Sequence, residues 1–231
     1  VNTKPGIVGA TDLSFTYLND EAKIGKIKGV YTSAITFNNI GNKVAYSELS
    51  ERDFIPMNMK IGNSFLAKFD SYNQLTFSVD VQKLLVPTPA YYDLISGEYI
   101  MLAGKTSNVG VINGMIQSFS DAPGVVATDA NGNYLMNADG TYQVVKGTKL
   151  KEELAEINLA VGAEWWYNNT FALRGGVFYE NKNKGNRQFL NVGASLKYNM
   201  FGIDFFARQI AFANGVHPAT ITRAALSLYL P

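Results

Sequence analysis

The stretch Phe189-Leu190-Asn191-Val192-Gly193-Ala194-Ser195-Leu196-Lys197-Tyr198-Asn199 sorts into two lists when read at every second residue. Leu190, Val192, Ala194, Leu196 and Tyr198 are apolar, whereas Asn191, Gly193, Ser195, Lys197 and Asn199 are small or polar. A period of two is the signature of a β-strand with chemically distinct faces.

The same alternation recurs along most of the chain. The apolar list runs Thr11, Leu13, Phe15, Tyr17; Tyr31, Ser33, Ile35, Phe37; Met57, Met59, Ile61, Asn63, Phe65, Ala67, Phe69; and Leu75, Phe77, Val79, Val81. It resumes after a long interruption with Ile157, Leu159, Val161, Ala163, Trp165, then Phe171, Leu173, Gly175, Val177, Tyr179. The stretch quoted first comes next, and Ile203, Phe205, Ala207 and Ala224, Leu226, Leu228, Leu230 complete nine strands. Every charged residue within these strands falls on the other list: Asp12, Lys60, Lys68, Asp80, Glu164, Arg174, Glu180, Lys197, Asp204, Arg208 and Arg223.

Two all-β architectures share this pattern. A soluble sandwich turns the apolar face inward, and an outer-membrane barrel turns it to lipid. In a sandwich, Val192 and Leu196 would point into a dry centre between two layers.

Loop lengths favour the barrel. Asp70-Ser71-Tyr72-Asn73, Asn168-Asn169 and Met200-Phe201 are short connections, while 38–55, 83–153, 181–188 and 210–220 are longer, and 18–28 is the loosest of the short set. Short and long alternate as periplasmic turns and outer loops do. Tyr17, Phe69, Tyr72, Trp165, Trp166, Tyr167, Phe171, Tyr198, Phe201 and Tyr229 gather at strand ends on the short-turn side, where an interfacial girdle would lie. Several strands reach the ~9–11 residues that a tilted strand needs to cross a bilayer.

Composition narrows the function. The 231 residues carry 20 Lys+Arg against 19 Asp+Glu, a balance with no footprint of a nucleic-acid partner. Without cysteine there is no thiolate metal site and no cysteine nucleophile. The lone histidine, His217, precedes Pro218 in a polar loop and reads as solvated, so no triad of the usual kind can be assembled. The expectation is a protein that is not an enzyme, with no catalytic residue, cofactor or metal ligand. Asp129-Ala130-Asn131-Gly132-Asn133 spaces its oxygens like a calcium loop, but Gly140 stands where the bidentate acid belongs, and a hairpin with Asx and Gly turns is the simpler reading.

The long segment 83–153 holds most of the non-strand sequence. Leu84-Leu85-Val86-Pro87-Thr88-Pro89 stops the fourth strand, residues 90–102 read as a short helix, and 109–119 read as an amphipathic helix with Val109, Ile112, Ile116 and Phe119 on one face. That helix could dock a partner or pack on its own barrel. Nine strands place the two chain ends on opposite sides of a membrane, whereas barrels of this kind have an even count. The expectation is therefore that an odd number of strands lies upstream, or that another chain supplies the missing edge.

Several runs resemble the PorV family, outer-membrane barrels of the Bacteroidota type IX secretion system. They are Asn73-Gln74-Leu75, Lys83 through Pro89, Gly114-Met115-Ile116-Gln117-Ser118-Phe119-Ser120-Asp121-Ala122-Pro123-Gly124, Asn38-Asn39-Ile40-Gly41, Phe54-Ile55-Pro56, and much of 153–199. Residues 125–148 have no counterpart, and the chain ends Tyr229-Leu230-Pro231 without the terminal aromatic usual in such barrels. The resemblance implies a fourteen-stranded barrel of the FadL type, of which this chain is the C-terminal part.

It also implies a function: binding secreted cargo through its C-terminal signal domain, taking it from the translocon channel SprA (Sov) and delivering it to the attachment complex containing the sortase PorU. The protein would sit in the outer membrane, surrounded by lipid, with the extracellular loop 83–153 as its site. The candidate partner-binding residues are Leu85, Pro87, Pro89, Ile112, Ile116, Phe119, Asp121 and Pro123. Rival readings are a FadL-like transporter of hydrophobic small molecules, a structural barrel without a specific partner, and a soluble sandwich.

Overall fold

The fold is described by a computed structural model covering residues 5–45, 52–210 and 220–228, with only the backbone described at 208–210, 220–222 and 226–228. His217, Tyr229, Leu230 and most of the 210–220 connection lie outside the described residues.

Among the described residues, the nine alternating stretches become strands. The strands are β1 (Ala10–Ile24), β2 (Ile27–Gly41), β3 (Asn58–Lys68), β4 (Asn73–Leu84), β5 (Tyr91–Ile95), β6 (Glu98–Ala103), β7 (Ile157–Tyr167), β8 (Phe171–Tyr179), β9 (Gln188–Tyr198), β10 (Phe201–Ile210) and β11 (Thr220–Leu228). Two short helices, α1 (Val111–Gln117) and α2 (Thr148–Ala155), stand between β6 and β7. Nine strands form one sheet in the order β1-β2-β3-β4-β7-β8-β9-β10-β11, each paired with its neighbour in sequence once β5 and β6 are set aside. The sheet is open, with β1 and β11 at its edges. No helix among the described residues is long and apolar enough to cross a membrane, which bears only on helical spans.

The turns show why the hairpins are tight. Tyr167 pairs with Phe171 across a loop in which Asn168 and Asn169 both adopt positive φ, 50° and 51°. Tyr198 pairs with Phe201, with Asn199 at φ 53°. Asparagine tolerates the left-handed region, and such turns match the twist of the flanking strands.

Two expectations need correcting. Segment 18–28 is not loose: β1 and β2 run on until only Gly25 and Lys26 separate them, with Gly25 at φ 60°. Asp20, Glu21 and Lys23 break the apolar alternation there, but backbone pairing does not depend on it. Residues 90–102 are not helical: β5 and β6 form a separate hairpin turning at Ser96 (φ 53°) and Gly97 (φ 89°). The run Tyr91-Tyr92-Asp93-Leu94-Ile95 has the aromatic and β-branched content of a strand, and the Ser-Gly pair was its turn signal.

The two faces of the nine-stranded sheet differ as the sequence requires. Val192 and Leu196 are each 52% exposed. Leu13, Phe15, Phe77, Leu173, Val177, Leu190 and Phe205 are exposed as well. The largest wholly buried side chains, Met57, Leu85, Asp121 and Ser118, lie outside the strands of this sheet. So these apolar side chains stay exposed among the described residues, whereas a sandwich would bury them.

Ion pairs link the polar face. Lys60 Nζ stands 2.8 Å from Asp80 Oδ2, and Arg174 Nε stands 3.0 Å from Glu164 Oε2. Arg174 also reaches Asp204 on β10 at 3.6 Å, and both hydrogen bond to Ser195 between them. Trp166 belongs to this face and not to the aromatic girdle, because its indole N–H donates to Glu164 two residues away, at 2.7 Å. Tyr72 and Tyr167 stack with ring centroids 6.2 Å apart, and Trp165 meets Phe171 edge-on at 6.2 Å, beside the short turns.

The chain divides into two compact units. One contains residues 14–36, 60–82 and 158–231; the other contains 1–13, 37–59 and 83–157. The candidate site lies wholly in the second.

Candidate functional site

The segment after β4 has its own small core. Leu85 donates its N–H to Met57 O at 2.8 Å, and both side chains are buried. Proline at 87 and 89 ends the ladder, since neither has an N–H to offer.

Five polar groups then tie the chain together. Lys83 is buried, and its ammonium donates to Glu156 Oε2 at 2.7 Å and to Glu153 Oε2 at 3.4 Å. Thr88 Oγ1 donates to the other oxygen of Glu156 at 2.7 Å. The Thr88 N–H donates to Asp121 Oδ2 at 3.1 Å, and Ala122 N donates to Glu153 Oε1 at 2.8 Å. Helix α2 thus presents Glu153, with Glu156 just past its end, as acceptors for 83–88 and 121–122. A buried charge needs such partners. Glu152 of α2 likewise accepts from Gly124 N at 2.9 Å.

Asp121 is only 1% exposed, and its Oδ1 has no hydrogen-bond partner. Burial pushes its carboxyl above the usual aspartate range, and the nearby negative charge of Glu153 adds to this; the bonds from Thr88 and Gln117 oppose it.

Helix α1 packs inside out. Gly114 and Ser118, four residues apart, are buried, with Ser118 Oγ donating to Met115 O at 2.7 Å. A methyl on Gly114 would stand 2.7 Å from Phe54 Cε1 and Cζ and 3.1 Å from Pro87 Cγ, so glycine lets the helix seat against Phe54 and Pro87. The large side chains face the other way: Ile112 is 60% exposed, Ile116 68% and Phe119 49%. In α2, Leu150 and Leu154 are exposed too.

The sequence-derived candidates therefore separate. Leu85, Pro87, Asp121 and Pro123 are buried and build the platform. Pro89, Ile112, Ile116 and Phe119 stand on the surface. Lys83, Thr88, Glu153, Glu156 and Phe54 complete the platform and were not among the candidates. They lie up to 102 residues apart in sequence, and only the buried Lys83, ending a strand beside the prolines, carried a local hint.

The calcium-like run is a turn. Asp129 Oδ1 accepts from Asn131 N at 2.8 Å and Asn133 N at 2.9 Å, and isolated bridges join Thr128 to Tyr134, Met136 to Tyr142 and Val126 to Val144. These backbone bonds hold the Asp129 carboxyl below the usual range, after the larger effect of the Asn133 amide.

An antiparallel sheet with a bare apolar face, and an opposite face crossed by ion pairs, has the pattern of a β-barrel wall. Residues 3–91 match the family described as type IX secretion system protein PorV. The matched span holds β1 to β4, Phe54 and the Pro87-Thr88-Pro89 run; residues 92–231 lie beyond it. A search of curated proteins found no match.

Proposed function

We propose that this protein is a non-enzymatic outer-membrane component of a type IX secretion system that binds cargo C-terminal signal domains and passes cargo from the translocon channel to the surface attachment complex with its sortase. The sheet anchors the protein in lipid, and the extracellular segment 83–153 makes the contacts. One observation carries the reading: Ile112, Ile116 and Phe119 are held out on α1 while its small residues lock into a platform of buried hydrogen bonds. Exposed apolar side chains on a rigid support are what a protein partner buries. A transporter of hydrophobic molecules would instead want an apolar passage, and the charged face of the sheet does not favour one.

The test is a triple variant, Ile112→Ser with Ile116→Ser and Phe119→Ser, purified from detergent-solubilised outer membranes. Because these residues are exposed, the sheet should remain intact, as judged by unchanged heat-modifiable migration. Co-purification of translocon or cargo should fall by at least about tenfold, roughly 1.4 kcal/mol. Full recovery of both partners with the triple variant would overturn the reading.

A further inference from the structure

A second feature of the same unit is a pocket of about 490 Å³ beneath the Pro87-Thr88-Pro89 run. Its apolar wall is Phe54, Val86, Pro87 and Pro89, and its polar rim includes Lys43, Arg52 and Asn108. The wall is fixed, because Phe54 and Pro87 are both wedged against Gly114 of α1. The rim is cationic. Lys43 Nζ lies 4.1 Å from the centre of the Phe54 ring and 3.4 Å from Ser107 O, which parks one positive charge at the mouth with N–H groups to spare. The Arg52 guanidinium makes no ion pair among the described residues. Asp53 also lines the pocket, leaving one positive charge in excess among the described residues that line it.

This inventory selects a ligand chemistry. A single excess charge suits a monoanion, and Asp53 would repel a doubly charged phosphate. An arginine and a lysine lining one pocket match a carboxylate. The prolines offer no N–H, so a strand cannot extend a ladder along that wall, and it can give only apolar contact. The volume is that of a small-ligand site, within ~300–1,000 Å³.

We propose that this pocket binds a single carboxylate carried on an apolar stem: the terminal carboxylate of a peptide with an apolar last residue, or a short acyl carboxylate. The proposal does not depend on the α1 surface, since Ile112, Ile116 and Phe119 are not part of the pocket.

Titration of the full-length protein in detergent with three probes tests it: a tetrapeptide ending in leucine as the free acid, the same peptide as the C-terminal amide, and octanoate. At least one carboxylate probe should bind. If the peptide acid binds, it should do so about tenfold or more tightly than its amide; if octanoate alone binds, the source is acyl. Arg52→Gln and Lys43→Gln should each weaken the bound carboxylate by about tenfold, and Leu150→Ser, at an exposed position outside the pocket, should leave it unchanged. Binding of the acid and amide peptides with equal affinity, indifference to both cation variants, or no binding of either carboxylate would overturn the proposal.

Discussion

Asp121 is a buried carboxyl with one oxygen satisfied by Thr88 N and the other by nothing, and it stands near the negative Glu153. Its folded pKa is raised, so its contribution favours the folded state in acid, below the unfolded value near 3.8, and is lost as pH rises through the folded pKa. Asp121→Asn keeps an acceptor for Thr88 N and removes the charge. The variant should protect 83–153 from protease better than the parent at pH 7, and this advantage should shrink as pH falls toward 4; an advantage that grows in acid would contradict the assignment. Lys83 gives the opposite case. Removing it by Lys83→Met strands Glu153 and Glu156 in a buried setting, at a cost of about 3–5 kcal/mol. Limited proteolysis at neutral pH should then cut the segment far faster than in the parent. Neither residue's role was legible in the sequence. Asp121 read as a partner contact because it stands in a distinctive run, and only the long-range meeting of Thr88, Asp121 and Glu153 shows that it is internal.

At the scale of the element, the strands were legible and the reach of their side chains was not. Alternation placed Arg174, Ser195 and Asp204 on one face, but it could not say that Arg174 on β8 crosses β9 to reach β10. Gly193 makes that crossing possible. It lies opposite Arg174 in the β8 to β9 register, and a methyl there would stand 3.0 Å from Arg174 Cγ and 3.0 Å from Phe205 O. Gly62 on β3 is the parallel case, since a methyl there would stand 2.7 Å from Asp80 Oδ1, whose carboxylate pairs with Lys60. Gly193→Val should therefore displace Arg174 from Asp204 despite valine's better strand propensity. The prediction is a lower unfolding temperature for Gly193→Val, with the exposed control Val192→Thr on the same strand nearly unchanged. Equal melting of the two variants would mean that the crossing does not matter. The β5 to β6 hairpin was missed for a different reason. Its short strands are too brief to establish a period, so the Ser96-Gly97 turn outweighed the surrounding pattern only once the backbone was seen.

For the molecule as a whole, the medium against the apolar face decides whether the rest of the reading stands. Leu, Val and Phe side chains stand exposed on many strands of one sheet, and soluble monomers rarely expose a contiguous apolar patch larger than a few hundred Å². The sheet has β1 and β11 at its edges, and in hydrocarbon each unpaired backbone group of an edge strand would cost several kcal/mol. Charge substitution separates the two faces. On the proposed outer-membrane placement, Val192→Lys or Leu196→Lys would put a cation into lipid, costing about 2–4 kcal/mol near the midplane. Ser195→Ala, on the opposite face of the same strand, removes only hydrogen bonds to Arg174 and Asp204, about 1 kcal/mol each. Outer-membrane assembly, read as the heat-modifiable fraction in isolated membranes, should fall sharply for the two lysine variants and little for Ser195→Ala. If the lysine variants instead assemble as well as the parent while Ser195→Ala fails, the faces have been assigned the wrong way round, and the apolar one is an interior.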